Sequence, residues 1–165
     1  MSHPLISGEI LASYETVALF LSTLATWFKR TESDRDIAKR ILAKAIRMAS
    51  GKQDVLALHF AYQTLTEIWY RDRETIPGAL EEATRACQRQ IELAIPAAAA
   101  FRKDLPDRPL PGHVGYKQLT IIYDKQGKYA EAIRVAQQAK KQGWAGDWDK
   151  RIERYQRKLS KEKQS

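Results

Sequence analysis

Hydrophobic positions recur at spacings of three and four along almost the whole chain, a rhythm that predicts one helix after another and no strand. Ile10, Tyr14, Val17, Leu21, Leu24 and Phe28 mark one face of a long first helix beginning near Ser7. The polar run "TESDRD" interrupts it. Ser33 followed by Asp36 has the form of a capping box, and Ile37, Ile41, Ala45 and Met48 continue on one face to a stop at Ser50-Gly51. Asp54 is the expected cap of a third helix with the stripe Val55, Leu58, Tyr62, Leu65 and Trp69. After "RDRET", Thr75 is the expected cap and Pro77 the expected first-turn residue of a fourth helix. That helix runs through Leu80, Ala83, Cys87, Ile91 and Leu93 until Pro96 ends or kinks it, and "AAAAF" resumes it to about Leu105.

The stretch "LPDRPLPGH", residues 105–113, holds three prolines and a glycine, so no helix survives there and a stiff spacer is expected. Residues 115–143, "GYKQLTIIYDKQGKYAEAIRVAQQAKKQG", then predict two helices broken at Gln126-Gly127. Asp147 caps a last helix reaching about Leu159, with Trp148, Ile152, Tyr155 and Leu159 as its apolar stripe. Lys150, Arg154, Arg157 and Lys161 lie on its other side, flanked by Arg151 and Lys158.

Residues 115–143 carry a family resemblance. Tyr116, Leu119, Tyr123, Gly127, Tyr129, Ala132, Ala136 and Ala139 stand at the spacings of a tetratricopeptide repeat, which this segment resembles. The segment departs from the family at Thr120, at Ala136 and at Trp144, where a small residue, a bulky residue and a proline are usual. A looser copy lies upstream in Tyr62, Leu65, Thr66, Trp69, Ala79, Ala83 and Ala86. One such hairpin cannot bury its own apolar face, so neighbours must stack on it. The expected fold is therefore all-α: antiparallel helical hairpins stacked as a short tetratricopeptide-like solenoid with a C-terminal capping helix. A single domain spans residues 1–165. Within it, 1–53 is an N-terminal helical pair, 54–104 the weak repeat, 105–112 the Pro-rich linker, 113–144 the clear repeat and 147–160 the basic cap.

Composition changes this picture little. Hydrophobic residues make up 44% and charged residues 29%, ordinary for a globular chain. The lone Cys87 excludes an internal disulfide and points to a reducing cytoplasm, with Cys87 itself a small buried hydrophobe. No secretory signal opens the chain, and the apolar part of the first helix is too short to span a membrane. Charge is uneven: of a net +8, residues 101–165 carry 16 basic and 8 acidic groups. Such asymmetry suits an acidic partner or nucleic acid.

Catalytic motifs are missing. The sequence contains no phosphate-binding glycine loop, nucleophile elbow or H-E-x-x-H pair, and His3, His59 and His113 have no ligand spacing, so neither a metal nor a cofactor is implied. The expectation is a non-catalytic protein–protein interaction module. By the resemblance, the first helix of each hairpin lines a groove for a protein or peptide, placing Lys117, Ile121, Asp124 and Lys125 there from the clear copy. The weak copy adds Gln63, Glu67, Tyr70 and Arg71. The alternative is a nucleic-acid accessory role through the basic face Lys150, Arg151, Arg154, Arg157, Lys158 and Lys161. A third possibility is homo-oligomerisation through the apolar first helix.

Overall fold

The computed structural model describes residues 15–164, and among them all regular structure is helical apart from one isolated bridge between Gly112 and Ala145. Helix α1, Val17–Leu24, is capped by Thr16, whose hydroxyl accepts the Leu19 amide at 3.1 Å. It gives way to a 3-10 turn at Ala25–Trp27, well short of Phe28. The cause is local. Ser22, Thr23 and Thr26 each donate their hydroxyl to a backbone carbonyl three or four residues back, in competition with the helix ladder. The proposed start near Ser7, with Ile10 and Tyr14, lies outside the described residues.

Helix α2, Glu32–Lys52, opens on a capping box two residues earlier than Ser33–Asp36. Thr31 accepts the Asp34 amide at 3.1 Å and Asp34 accepts the Thr31 amide at 3.3 Å. It also runs through Ser50-Gly51, because Gln53, at φ 52°, takes the left-handed cap conformation that Gly51 was expected to supply. Helix α3, Val55–Arg71, is capped by Asp54 as the sequence predicts. Helix α4, Ala79–Glu92, begins later than expected: Gly78, at φ 81°, turns the chain, and the Thr75 hydroxyl donates backwards to the Asp72 carbonyl instead of capping. The break before α5, Ala94–Asp104, falls at Leu93. Pro96 sits inside the first turn of α5, where its missing N–H leaves no bond unmade. Helices α6, Val114–Lys125, α7, Tyr129–Gln142, and α8, Trp148–Glu162, match the patterned C-terminal half.

Packing follows chain order only in part. Helix α3 lies against α1, α2, α4, α5 and α6, α4 packs on α6, and α6, α7 and α8 pack in succession. Being surrounded, α3 buries the short residues Ala57, Ala61, Thr64 and Thr66 together with His59 and Ile68, while its expected stripe of larger residues is only half-buried. The same holds for α2. Ala38, Leu42, Ala45 and Ala49 are buried, whereas Ile37 is exposed. Small residues at the contact line let two helix axes approach closely, and longer neighbours fill the flanks. The segment 105–112 is a docked strap: Leu110 is buried and the Pro111 carbonyl accepts the Ala145 amide at 3.2 Å.

The closest approach joins α4 to α6. A Cβ on Gly115 would stand 2.8 Å from Gln90 Oε1 and 3.0 Å from the Cys87 carbonyl oxygen. Backbone cannot yield as a flexible side chain does, so Gly115→Ala should lower the unfolding free energy by about 1–3 kcal/mol, read as a lower urea midpoint at unchanged slope.

Candidate functional site

The structure ties the first helices of successive pairs to each other at matching ends. Thr16, ahead of α1, donates its hydroxyl to the Asp54 carboxylate, ahead of α3. Beyond α1, Lys29 meets Glu67 near the end of α3 at 2.5 Å. Both contacts join residues 38 apart, so α1 and α3 run in the same direction. Likewise His59 in the second turn of α3 meets His113 before α6, and Lys125 at the end of α6 lies 5.9 Å from the Tyr70 ring near the end of α3. Lys158 of α8 reaches Asp124 of α6 at 2.5 Å, and Lys117 and Arg151 line one cavity of about 260 Å³ near the start of both helices. Helices α1, α3, α6 and α8 therefore form a parallel row.

The row divides into two unlike parts. Over α3, Glu67 is held by Lys29, and the Arg71 guanidinium donates to the Lys29 carbonyl oxygen at 2.8 Å, so the chain's own segment engages both. Tyr70 lies beneath the Arg73 guanidinium at 4.2 Å, and Gln63 is half-buried. Over α6 and α8 the face is more open. Lys117 and Lys125 are exposed, Ile121 is half-buried between them, and Asp124 pairs with Lys158.

The basic face of α8 is not the uniform strip that its sequence suggests. Arg151 is 9% exposed and gives its Nε to the Asp147 carboxylate at 2.6 Å, so it belongs to the packing. That hydrogen bond holds the Asp147 carboxyl below its ordinary range. Lys158 is occupied by Asp124, and the Arg154 guanidinium lies 5.0 Å from the Tyr155 ring. Lys150, Arg157 and Lys161 are exposed.

Behind this face lies a buried polar cluster. His59 and His113 are each 1% exposed, with ring centroids 5.1 Å apart. His113 caps α6: its Nδ1 accepts the Tyr116 amide at 3.2 Å, which puts the ring proton on Nε2. Gln90 Oε1 accepts the Gly115 amide at 2.7 Å, so its amide nitrogen faces His59 Nε2 at 3.3 Å and donates there. The His59 proton then sits on Nδ1. Among the described residues His59 Nδ1 is buried without a hydrogen-bond partner, whereas the Gln90 backbone lies close enough to the His113 ring to favour its protonated form slightly. Burial pushes the His59 imidazole down to about 4. Burial, with His59 alongside, pushes His113 down to about 3. The Trp144 indole stacks on His59 at 5.8 Å, and it shares the Gln142 side-chain oxygen with the Tyr116 hydroxyl.

No local pattern points to this pairing, because His59 and His113 stand 54 positions apart, on a helix and in a proline-rich loop. The small neighbours Ala57 and Ala61 mark a different side of the helix, since residues two apart do not share a face. Cys87 is buried as expected, and burial pushes its thiol up to about 12, which makes it a poor nucleophile. Among the described residues no group of three or more His, Cys, Asp or Glu gathers as a metal site, and no helix is long and apolar enough to cross a membrane. Comparison with protein-family models, curated proteins and solved structures finds no match to the chain.

Proposed function

We propose that the chain is a non-catalytic protein–protein interaction module. In this reading its helical hairpins stack as a short tetratricopeptide-like solenoid, α8 closes the stack, and a partner lies on the shared face of α6 and α8. The observation that carries the reading is the parallel row, in which corresponding ends of α1, α3, α6 and α8 are tied in sequence. Parallel first helices are what stacked hairpins produce, and they offer one continuous face to a peptide. Engagement of Glu67 and Arg71 by Lys29 shifts that face towards the C-terminal half.

The nucleic-acid alternative draws on the same cations, but Arg151 is buried in an ion pair and Lys158 is bound to Asp124. A phosphate backbone gains most from cations that have no carboxylate to surrender. The reading is tested by affinity capture of the tagged full chain from its native lysate after nuclease treatment, beside an Ile121→Arg variant. The expected result is a defined protein retained by the wild type and lost from the variant. Retention that disappears with nuclease, or that ignores the variant, contradicts it.

A further inference from the structure

Resting on that reading, we infer that the partner of the α6–α8 face is an extended acidic segment whose inward side chains, every second residue, run carboxylate, apolar, carboxylate. Lys117 and Lys125 of α6 and Lys158 of α8 border this face, with Arg151 buried beside it in its pair with Asp147. Asp124 offsets them only in part, and among the described residues Lys117 and Lys125 are in no ion pair. Between those two lysines, Ile121 is half-buried and apolar. A cation, an apolar patch and a second cation along one helix face match an extended chain in which every second side chain faces the helix and these run acidic, apolar, acidic.

The internal ion pairs show what these cations accept. Asp147 meets Arg151 at 2.6 Å and Asp124 meets Lys158 at 2.5 Å, each carboxylate supplied by the edge of the same face. A partner's carboxylates therefore compete with Asp124 for Lys158, and removal of that competitor strengthens binding.

The aromatic rings argue for a peptide over a single-stranded nucleic acid. A nucleic acid needs open ring faces on which bases stack. Here Tyr70 is covered by Arg73 and Lys125, Tyr123 by Lys128 and Tyr129 by Lys158, at 4.2 to 5.9 Å. The cations hold the stacking positions.

The test is fluorescence anisotropy of the full chain at low ionic strength. Its probes are a labelled dodecapeptide of three Ser-Glu-Ser-Leu units, its glutamine counterpart, and a single-stranded dodecanucleotide. The glutamate peptide should bind more tightly than the other two. Lys117→Glu with Lys125→Glu should weaken it by about tenfold or more, and Asp124→Asn should tighten it by about threefold. No binding of the glutamate peptide, tighter binding of the oligonucleotide, or an Asp124→Asn variant that binds more weakly overturns the inference. If the glutamine peptide binds equally well, ignores the lysine reversals and is lost with Ile121→Arg, the groove stands and only its acidic preference falls. If no variant, Ile121→Arg included, alters any peptide binding, the groove reading falls too.

Discussion

Acidification from pH 7 to pH 5 should destabilise this protein by about 4 kcal/mol through its two buried histidines. Unfolded imidazoles titrate near 6.5, whereas the folded chain holds His59 at about 4 and His113 at about 3. Below 6.5 the unfolded state therefore binds the extra protons. The loss is absent above that value and grows as pH falls towards the folded values, at about 1.4 kcal/mol per pH unit for each ring. Geometry explains why the folded state refuses them. A proton on His113 Nδ1 abolishes its acceptance of the Tyr116 amide, a proton on His59 Nε2 opposes the Gln90 amide, and two imidazolium rings would sit 5.1 Å apart. His113→Asn keeps a cap acceptor but cannot titrate in this range. Urea midpoints at the two pH values should show the wild-type drop roughly halved in His113→Asn. Asp72 and Asp147 have lowered carboxyl values, so their contribution is present above 3.8 and lost only in stronger acid, outside the range compared. An equal drop in both proteins would show that the histidines are not the cause.

Asp72→Ala should cost about 3–5 kcal/mol, because it leaves the largely buried Arg35 without a counter-charge and Lys39 with only the exposed Asp36 at 3.5 Å. The Asp72 side chain is fully buried, and Arg35 and Lys39 of α2 both reach it, at 2.7 and 3.1 Å. Burial by itself would raise its carboxyl, but those two hydrogen bonds outweigh burial and hold it below its ordinary range. The carboxylate thus fastens α2 to the end of α3, while Lys39 also lies over the Trp69 ring at 3.8 Å. Asp72→Asn retains one acceptor oxygen and should cost less. Replacing Arg35 and Lys39 with methionine in the Asp72→Ala background should recover part of the loss, since apolar groups then fill the site. A thermal or urea midpoint within about 0.5 kcal/mol of wild type for Asp72→Ala would contradict this account.

Helix existence and order were legible in the sequence because three-and-four spacing and the caps Asp54 and Gly127 act locally. Boundaries were less so. Thr31 and Ser33 both have cap chemistry with an acid three residues on, and only the packed structure selects Thr31. Gln53 in the left-handed region has no signature in sequence, whereas Gly51 beside it carries a false one. The stripe rule favoured large residues, but the fully buried positions of α2 and α3 include Ala38, Ala45, Ala57 and Ala61. At the candidate site, the resemblance to a tetratricopeptide repeat supplied Lys117, Ile121 and Lys125. It could not show that Lys29 would engage Glu67, or that Asp124 on one candidate surface would bind Lys158 on the other. Those pairings depend on how helices far apart in sequence come together.

The proposed protein partner lies on the face shared by α6 and α8. The most direct test of this placement is a photo-crosslinking residue placed at Ile121 and, separately, at the exposed Gln88 of α4, in the full chain within its native lysate. The account predicts a discrete protein adduct from position 121, resistant to nuclease and absent from position 88. Adducts of equal strength from both positions, or nucleic acid alone from position 121, would contradict it.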